Sequence, residues 1–307
     1  MTKIFIVILN WNNYADTFEC LKSVDKLRIG KFDLRVVVVD NGSSDDSCEN
    51  IRNFQLSNSN FHLIENNQNL GYAGGNNVGM RYALESGADW VMVLNNDTEV
   101  DHDLVVQLIE AAERDGKVGV LTPKIYFARG SEFHKSKYKK SELGNVIWSA
   151  GGEMDWNNVF GKNRGVDEVD SGKYDFEEEV EFATGACVFL RATALDEVGL
   201  FDERYFAYFE DADLVMRMRR AGWKIVYVPK AKLWHKVSRS SGIGSKLNDY
   251  FIIRNRLYFG MKYATMRTKF ALIRESFRIA GIGSEWQQRG ARDFYLRRFG
   301  RGSWKDE

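Results

Sequence analysis

An apolar strand that ends in two amides and a carboxylate is the first place in this sequence where chemistry is expected. The stretch is VMVLNNDTEV, residues 91 to 100, and its polar end is Asn95, Asn96 and Asp97. Asp97 supplies a hard oxygen ligand of the kind that Mg²⁺ and Mn²⁺ prefer. His235, which follows the last predicted strand, supplies a nitrogen ligand that favours Mn²⁺. Each residue has a simpler alternative, because Asp97 suits a turn and His235 suits a surface or core position.

Polar residues follow four of the apolar runs, not one. The four groups are residues 10–12, 40–42, 66–69 and 95–97. Because the carboxyl ends of parallel strands meet at one edge of a sheet, these groups predict a polar crevice there. The dinucleotide fingerprint G-x-G-x-x-G is absent after the first strand, where the sequence reads NWNNYAD. The motifs G-x-x-x-x-G-K-[ST], H-E-x-x-H and G-x-S-x-G are absent as well.

A second group of acids opens the predicted helix EDADLVMRMRRAG. Glu210, Asp211 and Asp213 lie at its N-terminus, where the helix dipole stabilises carboxylates, and acids at this position are also an ordinary feature of helices. The preceding RYFAYF forms an aromatic rim suited to sugar rings. A carboxylate that is desolvated among aromatic rings becomes a stronger base. The group is therefore a candidate general base.

The first half of the chain alternates β-branched runs with helical stretches. Predicted strands cover residues 3–9, 34–40, 62–66, 89–95 and 118–127, with helical patterns between the first four and after the fourth. Near-continuous apolar runs indicate strands that are buried on both faces. Four βα units therefore predict a parallel sheet with helices on both sides.

The second half of the chain is less regular. Residues 128–180 are polar and predict a long irregular segment, which in a compact fold is either functional or disordered. Strands are predicted at 181–191 and 224–229, and a helix is predicted at 210–222 between them. After Ser245 the pattern is helical, basic and aromatic to the end.

Composition limits the classes of function. The chain has 307 residues, 44% hydrophobic residues and zero formal net charge, so it can bury a large core and carries no global signal for nucleic acid. Basic residues nevertheless exceed acidic ones by roughly eight over residues 246–307. Three scattered cysteines without metal-ligand spacing, and the lack of a signal peptide or a membrane-length apolar run, predict a cytoplasmic protein.

Seven short stretches, between about residue 3 and residue 260, carry a family resemblance when they are taken in order. They are VILNWN, VVVVDNGSSD, NLGYAGGNN, VLNNDT, ATGACVFLR, FDERYFAYFEDADLVMRMRRAGWKI and WHKVSRSSG. The chain resembles the family 2 glycosyltransferases, and especially their rhamnosyltransferase-like branch. The resemblance implies an α/β GT-A (Rossmann-like) fold with a mostly parallel central sheet flanked by helices. It also implies inverting transfer of a sugar from a nucleoside diphosphate donor, with Mn²⁺ or Mg²⁺ as cofactor.

The resemblance also implies a division of the chain. We expect a GT-A glycosyltransferase domain over residues 1–245, with a nucleotide-binding half at about 1–127 and an acceptor half at about 128–245. A basic, aromatic helical segment is expected over residues 246–307.

Roles for individual residues follow from the same resemblance. Asp40 would hydrogen-bond the nucleobase, Asp97 and His235 would bind the metal, and Asp211 would be the catalytic base with Glu210 as its positioner. Further nucleotide-binding positions would be Asn10, Asn12, Asn41, Asn69, Gly71, Gly74, Gly75, Asn76, Asn95 and Asn96. Many members of the family have Asp where this chain has Asn95, so Asp97 would carry the protein's carboxylate share of the metal.

The acceptor side is expected to come from the stretches SAGGEMDW and GACVFL. Gly151 and Gly185 allow close approach of the backbone, and Trp148 or Trp234 offers a stacking face, although core packing is the alternative for each tryptophan. Phe209, from the aromatic rim, is the fourth acceptor-binding candidate.

Three other classes of protein were weighed against this one. A phosphatase of the haloacid dehalogenase type needs a nucleophilic Asp where this chain has Asn95. A sugar nucleotidyltransferase needs a basic, glycine-rich loop after the first strand, which NWNNYAD is not. A catalytically inactive nucleotide-sugar-binding homologue stays open, because Asn95 is a departure at a metal position.

The expected donor is dTDP-L-rhamnose, with UDP-sugars next, and the expected acceptor is a glycan or lipid-linked glycan of cell-surface polysaccharide synthesis. The segment YFIIRNRLYFGMKYATMRTKFALIRESFRIAG either lies against anionic lipid on the inner membrane face or packs as a helical subdomain with solvated basic faces. The oligomeric state, with a homo-oligomer as one alternative, stays open.

Overall fold

A computed structural model of the chain describes residues 1–56, 60–237 and 245–305. Residues 238–242 of the stretch WHKVSRSSG lie outside the described residues. The strands are β1 (Thr2–Asn10), β2 (Phe32–Asp40), β3 (Phe61–Glu65), β4 (Trp90–Asn95), β5 (Thr98–Val100), β6 (Val118–Phe127), β7 (Ile147–Ala150), β8 (Gly152–Asp155), β9 (Phe160–Asn163), β10 (Glu178–Glu179), β11 (Cys187–Arg191) and β12 (Lys224–His235). The helices are α1 (Tyr14–Val24), α2 (Ser47–Leu56), α3 (Gly71–Glu85), α4 (Leu104–Ala112), α5 (Ala192–Val198), α6 (Glu210–Arg220), α7 (Lys246–Tyr263), α8 (Met266–Ile282) and α9 (Glu285–Tyr295).

Ten of these strands form one central sheet. Its order is β10-β12-β6-β11-β4-β1-β2-β3, with β5 beside β12 and β7 beside β6. Strands β1 to β4 are parallel, as the four βα units predicted, and β12 is parallel to β6. Strand β11 is inserted antiparallel between β4 and β6. The sheet is thus mostly parallel, and the carboxyl ends of β1, β2, β4 and β12 lie along one edge.

Successive residues of the central strands are buried on opposite faces of the sheet. Ile4, Ile6 and Ile8 of β1 belong to one core cluster, whereas Phe5 and Val7 belong to the other. Residues of α1, α2 and α4 complete the first cluster, and residues of α3, α5 and α6 complete the second. Burial on both faces is the reason that the apolar runs in the sequence are continuous and do not alternate with polar residues.

The segment 128–180, predicted to be irregular, contains four short strands and a 3₁₀ turn (Lys135–Lys137). Strand β7 pairs with β6, β8 with β9, and β10 with β12. Lys124 is fully buried in β6 and donates to Asp170 at 2.9 Å and to Asp175. These pairings hold the segment on the sheet, so it has more regular structure than its composition indicated.

Two strand boundaries differ from the prediction because of how the chain turns near the sheet edge. The strand predicted at 181–191 begins only at Cys187, since residues 185–186 form a turn that carries Gly185. The strand predicted at 224–229 continues to His235, with a register shift between Val228 and Lys232, and its last three residues also pair with β5. His235 is therefore the last residue of a strand, not a loop residue after it.

The three C-terminal helices pack on the rest of the chain through apolar residues. Leu257 and Phe259 of α7 share a core cluster with Tyr205 and Phe209. No helix in the described part of the chain is both long and apolar enough to span a bilayer. The three cysteines are free; Cys20 and Cys187 are buried, and Cys48 is half-buried.

Candidate active site

The carboxyl ends of β1 and β2 are joined by a small hydrogen-bond network. The amide nitrogen Nδ2 of Asn10 donates to Oδ2 of Asp40 at 2.8 Å. Ser43 donates to the same carboxylate twice, from its backbone N–H at 2.9 Å and from its hydroxyl at 2.7 Å. Asn12 follows the end of β1, and its Oδ1 accepts the N–H of Ser44 at 2.8 Å. Asp40 is thus held rigidly at the sheet edge.

Thr17 on α1 extends this network toward β4. Its hydroxyl donates to Oδ1 of Asn10 at 2.7 Å and accepts from Nδ2 of Asn96 at 2.8 Å. The sequence analysis did not single out Thr17. The sequence feature that could have indicated Thr17 is a hydroxyl side chain in the first turn of the helix that follows the polar end of β1. Through Thr17, the ends of β1, β2 and β4 are joined in one buried hydrogen-bond network.

Asn41 organises the glycine-rich stretch before and within α3. Its Nδ2 donates to Oδ1 of Asn69 at 3.0 Å and to the carbonyl oxygen of Gly71 at 3.2 Å. Gly71 has a φ of +75°, and a Cβ there would lie 2.5 Å from the carbonyl oxygen of Phe206. A Cβ on Gly75 would lie 3.1 Å from the Asn41 side chain. The glycines let α3 pack close to both neighbouring loops.

The remaining residues of this stretch are also placed at the N-terminal end of α3. Gly74 faces Leu70 and Glu203, and Nδ2 of Asn76 donates to the carbonyl oxygen of Tyr72 at 2.9 Å. Oδ1 of Asn76 is buried and accepts no hydrogen bond from the described residues.

Asp97 and His235 are 138 residues apart in sequence, and their side chains meet at the sheet edge. Nε2 of His235 lies 3.0 Å from Oδ1 of Asp97, and both side chains are buried. Strand pairing causes this approach, because β12 pairs with β5 so that His235 is opposite Thr98. Trp148, an acceptor candidate, packs edge-on against the His235 ring at 4.6 Å between centroids.

The geometry of this pair fits two ligands of one divalent cation. Adjacent ligands of an octahedral ion with bonds of about 2.1 Å are about 3.0 Å apart. A carboxylate oxygen beside an imidazole nitrogen is a donor set that suits Mn²⁺. Nδ1 of His235 is buried and has no hydrogen-bond partner among residues 1–56, 60–237 and 245–305.

A second group of metal-binding side chains consists of Asp101, His102 and Asp103, whose ligand atoms lie within 4.8 Å of one another. Asp101 donates its N–H to the carbonyl oxygen of Lys232, three residues back from the end of β12. Asp103 is already paired with the guanidinium of Arg28 at 2.9 Å. This group therefore lies behind the polar edge, and an arginine already neutralises one of its carboxylates.

Glu210 and Asp211 open α6, directly opposite the turn before β11. The backbone N–H groups of Gly185 and Ala212 donate to the two carboxylate oxygens of Asp211 at 2.8 and 2.7 Å. Burial raises the pKa of Asp211, and these two hydrogen bonds limit the rise. Burial, together with the nearby charge of Asp211, raises the pKa of Glu210 well above its ordinary range.

Tyr72 connects the two parts of the site. Its hydroxyl lies 3.0 Å from Oδ1 of Asn95 at the end of β4 and 2.7 Å from the carbonyl oxygen of Gly185. Gly185 in turn holds Asp211 through its N–H. The end of β4, next to Asp97, is thus linked to the candidate base by three hydrogen bonds, through Tyr72 and Gly185. Tyr72 was not singled out from the sequence, although it lies within NLGYAGGNN.

The loop that leads into α6 has an unusual backbone. Phe206, Tyr208 and Phe209 have φ values of +65°, +67° and +73°, a region that bulky residues rarely adopt. Each such residue costs about 1–3 kcal/mol unless surrounding contacts fix it. This loop positions Glu210 and Asp211, so the contacts that fix it also position the candidate base.

Two buried residues of α7 supply those contacts. Arg254, which is fully buried, donates to the carbonyl oxygens of Arg204 at 3.1 Å and Tyr205 at 2.8 Å. Nδ2 of Asn255 lies 2.8 Å from the carbonyl oxygen of Tyr205, 2.7 Å from that of Ala207 and 2.9 Å from that of Tyr208. From the sequence this helix was expected either to lie against lipid or to pack as part of a helical subdomain, and its role in holding the loop was not predicted.

The other acceptor candidates lie in different surroundings. Phe209 is buried and packs against Phe160 and Phe259, at 5.7 and 5.5 Å between ring centroids. Gly151 lies in the turn between β7 and β8, and the groups nearest to it belong to residues outside the predicted site, which are Val180, Tyr227 and Arg164. Trp234 stacks on Tyr126 and donates to the carbonyl oxygen of Gly144 at 2.8 Å. The acceptor roles of Phe209 and Gly151 stay predictions.

The fold defines a class of protein, because solved glycosyltransferases share this architecture. One is the mannosyltransferase PcManGT from Pyrobaculum calidifontis in complex with GDP-Man and Mn²⁺, with a TM-score of 0.56, 14% identity, and coverage of 96% of this chain and 74% of that chain. Another is GalNAc-T7 with UDP, GalNAc and Mn²⁺, with a TM-score of 0.62, 16% identity, and coverage of 96% and 58%. The fold is that of the GT-A glycosyltransferases.

Sequence comparison gives the family. The model of Glycosyl transferase family 2 matches residues 5–198, and the chain belongs to this family. An N-acetylglucosaminyl-diphospho-decaprenol L-rhamnosyltransferase of Mycobacterium tuberculosis is 30% identical over 220 residues, which are 67% of this chain and 68% of that protein. The low-salt glycan biosynthesis hexosyltransferase Agl10 of Haloferax volcanii is 28% identical over 216 residues, with coverage of 70% and 61%. The family match ends at residue 198, so the assignment of Asp211 and His235 to the candidate site is supported by the geometry described above and not by this match.

Proposed function

We propose that this chain transfers a sugar, with L-rhamnose as the first choice, from a dTDP- or UDP-linked donor to a glycan or lipid-linked glycan acceptor, with inversion at the anomeric carbon. The observation that carries the proposal is the meeting of Asp97 and His235 at the same sheet edge as Asp40. The name of the mycobacterial relative, which describes an L-rhamnosyltransferase and a diphospho-decaprenol, supports this choice of sugar and acceptor.

In this proposal Asp211 is the general base. Its carboxylate accepts the proton of the acceptor hydroxyl as that oxygen attacks the anomeric carbon from the face opposite the nucleotide, so the configuration inverts. The N–H groups of Gly185 and Ala212 fix the orientation of the carboxylate. Burial and the charge of Asp211 raise the pKa of Glu210, which favours its protonated form, and in this proposal Glu210 shapes the site without adding a second charge.

Asp97 and His235 would hold a divalent cation, Mn²⁺ before Mg²⁺. When bound, such an ion neutralises the charge that develops on the diphosphate leaving group. Asn95 and Asn96 flank Asp97 with neutral amides, and they leave the diphosphate free of further carboxylates at this strand end. Asn95 is suited to a ribose hydroxyl.

Asp40 is suited to the imide edge of thymine or uracil. Its Oδ1 accepts the N–H of Ser43, and a carboxylate oxygen has a second lone pair that can accept the imide N–H. Guanine presents a different pattern of donors and acceptors. The choice of dTDP before UDP comes from the resemblance to the rhamnosyltransferase-like branch, since Asp40 pairs equally well with thymine and uracil.

Thermal-shift measurements with nucleotide sugars, with and without Mn²⁺, test the donor assignment. We expect the largest increase in Tm for dTDP-L-rhamnose or a UDP-sugar, and we expect it to depend on Mn²⁺. Asp211→Asn should keep this shift and lose transfer. A larger shift with a GDP-sugar would refute the assignment of Asp40 to the base.

The second candidate function is that of a nucleotide-sugar-binding protein without catalysis. Asn95 favours it, because this position carries an amide where many family members have a carboxylate. Turnover of a donor in the presence of Mn²⁺ would exclude this alternative. Metal-dependent binding of dTDP- or UDP-sugars without transfer or hydrolysis of any of them would establish it.

A further inference from the structure

Helix α8 has an exposed face that combines large apolar residues with arginines. Met266, Phe270 and Phe277 are 65%, 66% and 67% exposed, which is high for side chains of this size. At about 100° per residue these three project within about 40° of one another around the helix. We call this surface the α8 face, and it consists of Met266, Arg267, Phe270, Arg274, Phe277 and Arg278.

The arginines of the α8 face form a stripe beside the apolar one. Arg274, Arg267 and Arg278 are exposed, and they project about 40° to 80° further around the helix than Phe270. The acid of this helix, Glu275, lies on another side and is paired with Arg256 of α7 at 2.9 Å. The α8 face is therefore amphipathic along its length and purely cationic in charge.

The opposite side of α8 is fixed to the body of the protein. Leu272 is buried against Gly260 of α7, where a Cβ would lie 2.2 Å from the Leu272 side chain. The hydroxyl of Thr268 donates to the carbonyl oxygen of Trp156, in the β8–β9 hairpin, at 3.4 Å. Since α8 is held in this orientation, its exposed face is a permanent feature of the surface.

The same hairpin reaches the candidate acceptor side. Phe160, at the start of β9, packs on Phe209, which directly precedes Glu210 and Asp211. The hairpin thus lies between α8 and the loop that carries the candidate base.

A groove next to the α8 face has the same mixed character. It has a volume of about 620 Å³ between α8 and α9, with Phe277, Ala280 and Leu296 as apolar walls. Arg289 and Arg292 line it together with Glu285, which is paired with Arg289 at 2.5 Å, so the lining keeps a net positive charge. A lipid is complementary to this groove, because its acyl chain is apolar and its phosphate head is negatively charged.

We infer that the α8 face binds the surface of an anionic phospholipid bilayer. Aromatic and Met side chains enter the boundary between headgroups and acyl chains, and arginines beside them contact lipid phosphates. Charge selects this partner over a second copy of the chain, because two α8 faces in a symmetric dimer would oppose like charges. The inference rests on the proposed function in one respect: membrane binding would bring the chain to a lipid-linked acceptor.

Flotation of the full chain with vesicles tests the inference without donor or acceptor. We expect binding to vesicles of one part phosphatidylglycerol to three parts phosphatidylcholine, and weaker binding at high salt or to phosphatidylcholine alone. Changing Arg267, Arg274 and Arg278 together to Gln should weaken binding about 100-fold, at about fivefold for each charge. Phe270→Ser with Phe277→Ser should weaken it at least about tenfold.

The matched control is Phe133→Ser with Phe176→Ser, which removes two aromatic rings that are 56% and 54% exposed elsewhere on the surface. Because Phe277 stacks on Tyr295, the pair Met266→Ser with Phe270→Ser serves as a second test variant. Each variant is checked by its Tm. Equal binding by test and control variants, or binding that is indifferent to lipid charge, would overturn the inference.

Light scattering without lipid examines the second copy as partner. A dimer that forms through the α8 face, and is lost in Phe270→Ser with Phe277→Ser, would overturn the lipid assignment. Transfer of sugar to a water-soluble acceptor separates this inference from the proposed function. If such transfer occurs and vesicle binding does not, the function stands and the α8 inference fails.

Discussion

Glu210 and Asp211 are adjacent in the chain, but their carboxyl groups have different partners. Asp211 accepts two backbone N–H donors, whereas Oε2 of Glu210 is buried and accepts none from the described residues. Burial raises both pKa values, and the charge of Asp211 raises that of Glu210 further. The two carboxyls thus titrate as a pair in which Asp211 loses its proton first.

This pairing predicts the pH dependence of transfer. Asp211 accepts a proton only when ionised, so kcat should fall as the pH drops through a pKa above the ordinary Asp value of 3.8. Asp211→Asn should lower kcat by about 10²–10⁴-fold. Glu210→Gln imitates the protonated carboxyl, so it should leave the acidic limb unchanged. A limb that moves by a full pH unit in Glu210→Gln would mean that Glu210 is charged during catalysis.

The same pairing predicts a stability difference. The pKa of Glu210 in the folded protein lies above its ordinary value of 4.5, so the unfolded chain releases a proton that the folded one keeps. The contribution of Glu210 to stability should therefore decrease as the pH rises above about 4.5, and Glu210→Gln should remove this contribution while that of Asp211 remains. The difference in Tm between the two proteins, measured from about pH 5 to pH 8, should widen with pH. A constant difference would contradict the raised pKa.

Mutagenesis can distinguish the proposed metal ligands Asp97 and His235 from the neighbouring group of Asp101, His102 and Asp103. Asp97→Asn and His235→Ala should each lower Mn²⁺-dependent kcat/KM at least about 100-fold, because a bound cation contributes several kcal/mol of charge stabilisation. Asp103→Asn is the matched control, since it removes a carboxylate from the neighbouring group and should leave activity within a few-fold of wild type. A large loss of activity in Asp103→Asn, with little loss in Asp97→Asn and His235→Ala, would instead assign the metal to Asp101, His102 and Asp103.

At the scale of elements, the strained loop before α6 depends on α7. Arg254→Met removes donors to the carbonyl oxygens of Arg204 and Tyr205 and should lower the free energy of unfolding by about 3 kcal/mol. Because Asp211 would then be less well oriented, kcat should fall about tenfold or more while the donor-induced Tm shift is retained. Asn255→Ala is a milder variant that should show the same pattern.

Arg256→Met is the control for this effect. Arg256 lies on the same helix and donates to Glu275 and to the carbonyl oxygen of Asn158, but it has no hydrogen bond to the 204–208 loop. It should lower Tm without a comparable fall in kcat. An equal fall in kcat for Arg254→Met and Arg256→Met would show that α7 acts through stability alone.

The elements also show what the sequence could and could not predict. Strands β1 to β4 and their helices follow local periodicity, because each βα unit contains its own apolar pattern. The short strands of residues 128–180 were not predicted, since β7 and β10 are defined by pairing with β6 and β12 outside the segment, and the β8–β9 hairpin has only four residues in each strand. The approach of Asp97 to His235 followed from the resemblance. Thr17, Tyr72 and Arg254 were missed because their roles arise from contacts between elements.

At the scale of the whole molecule, the C-terminal helices share buried contacts with the α/β body. Asp213 of α6 is fully buried and accepts from Lys262 and Tyr263 of α7, at 2.6 and 2.8 Å. We therefore expect a single calorimetric unfolding transition for the full chain, in spite of the boundary predicted at residue 245. Two separated transitions, with only one sensitive to Arg254→Met, would show that the segment folds independently.

Charge is unevenly distributed over the molecule, and this has a consequence for the proposed reaction. The basic excess lies in the C-terminal segment, so the remainder of the chain carries the matching acidic excess. An anionic bilayer should attract the first part and repel the second, which orients the molecule before any specific contact forms. Association should therefore slow markedly as ionic strength rises, and stopped-flow mixing with vesicles measures this.

Cys20 lies directly beneath the candidate site, with its Sγ 3.8 Å from the carbonyl oxygen of Asn95 and 3.6 Å from Oγ1 of Thr98. Burial raises its pKa to about 12, so the closed protein offers a thiol reagent neither access nor a thiolate. In a chain with Cys48→Ser and Cys187→Ser, the rate of alkylation would count how often α1 parts from the end of β4. Alkylation of Cys20, followed by mass spectrometry, thus measures the frequency of local opening at this edge in the absence of any substrate.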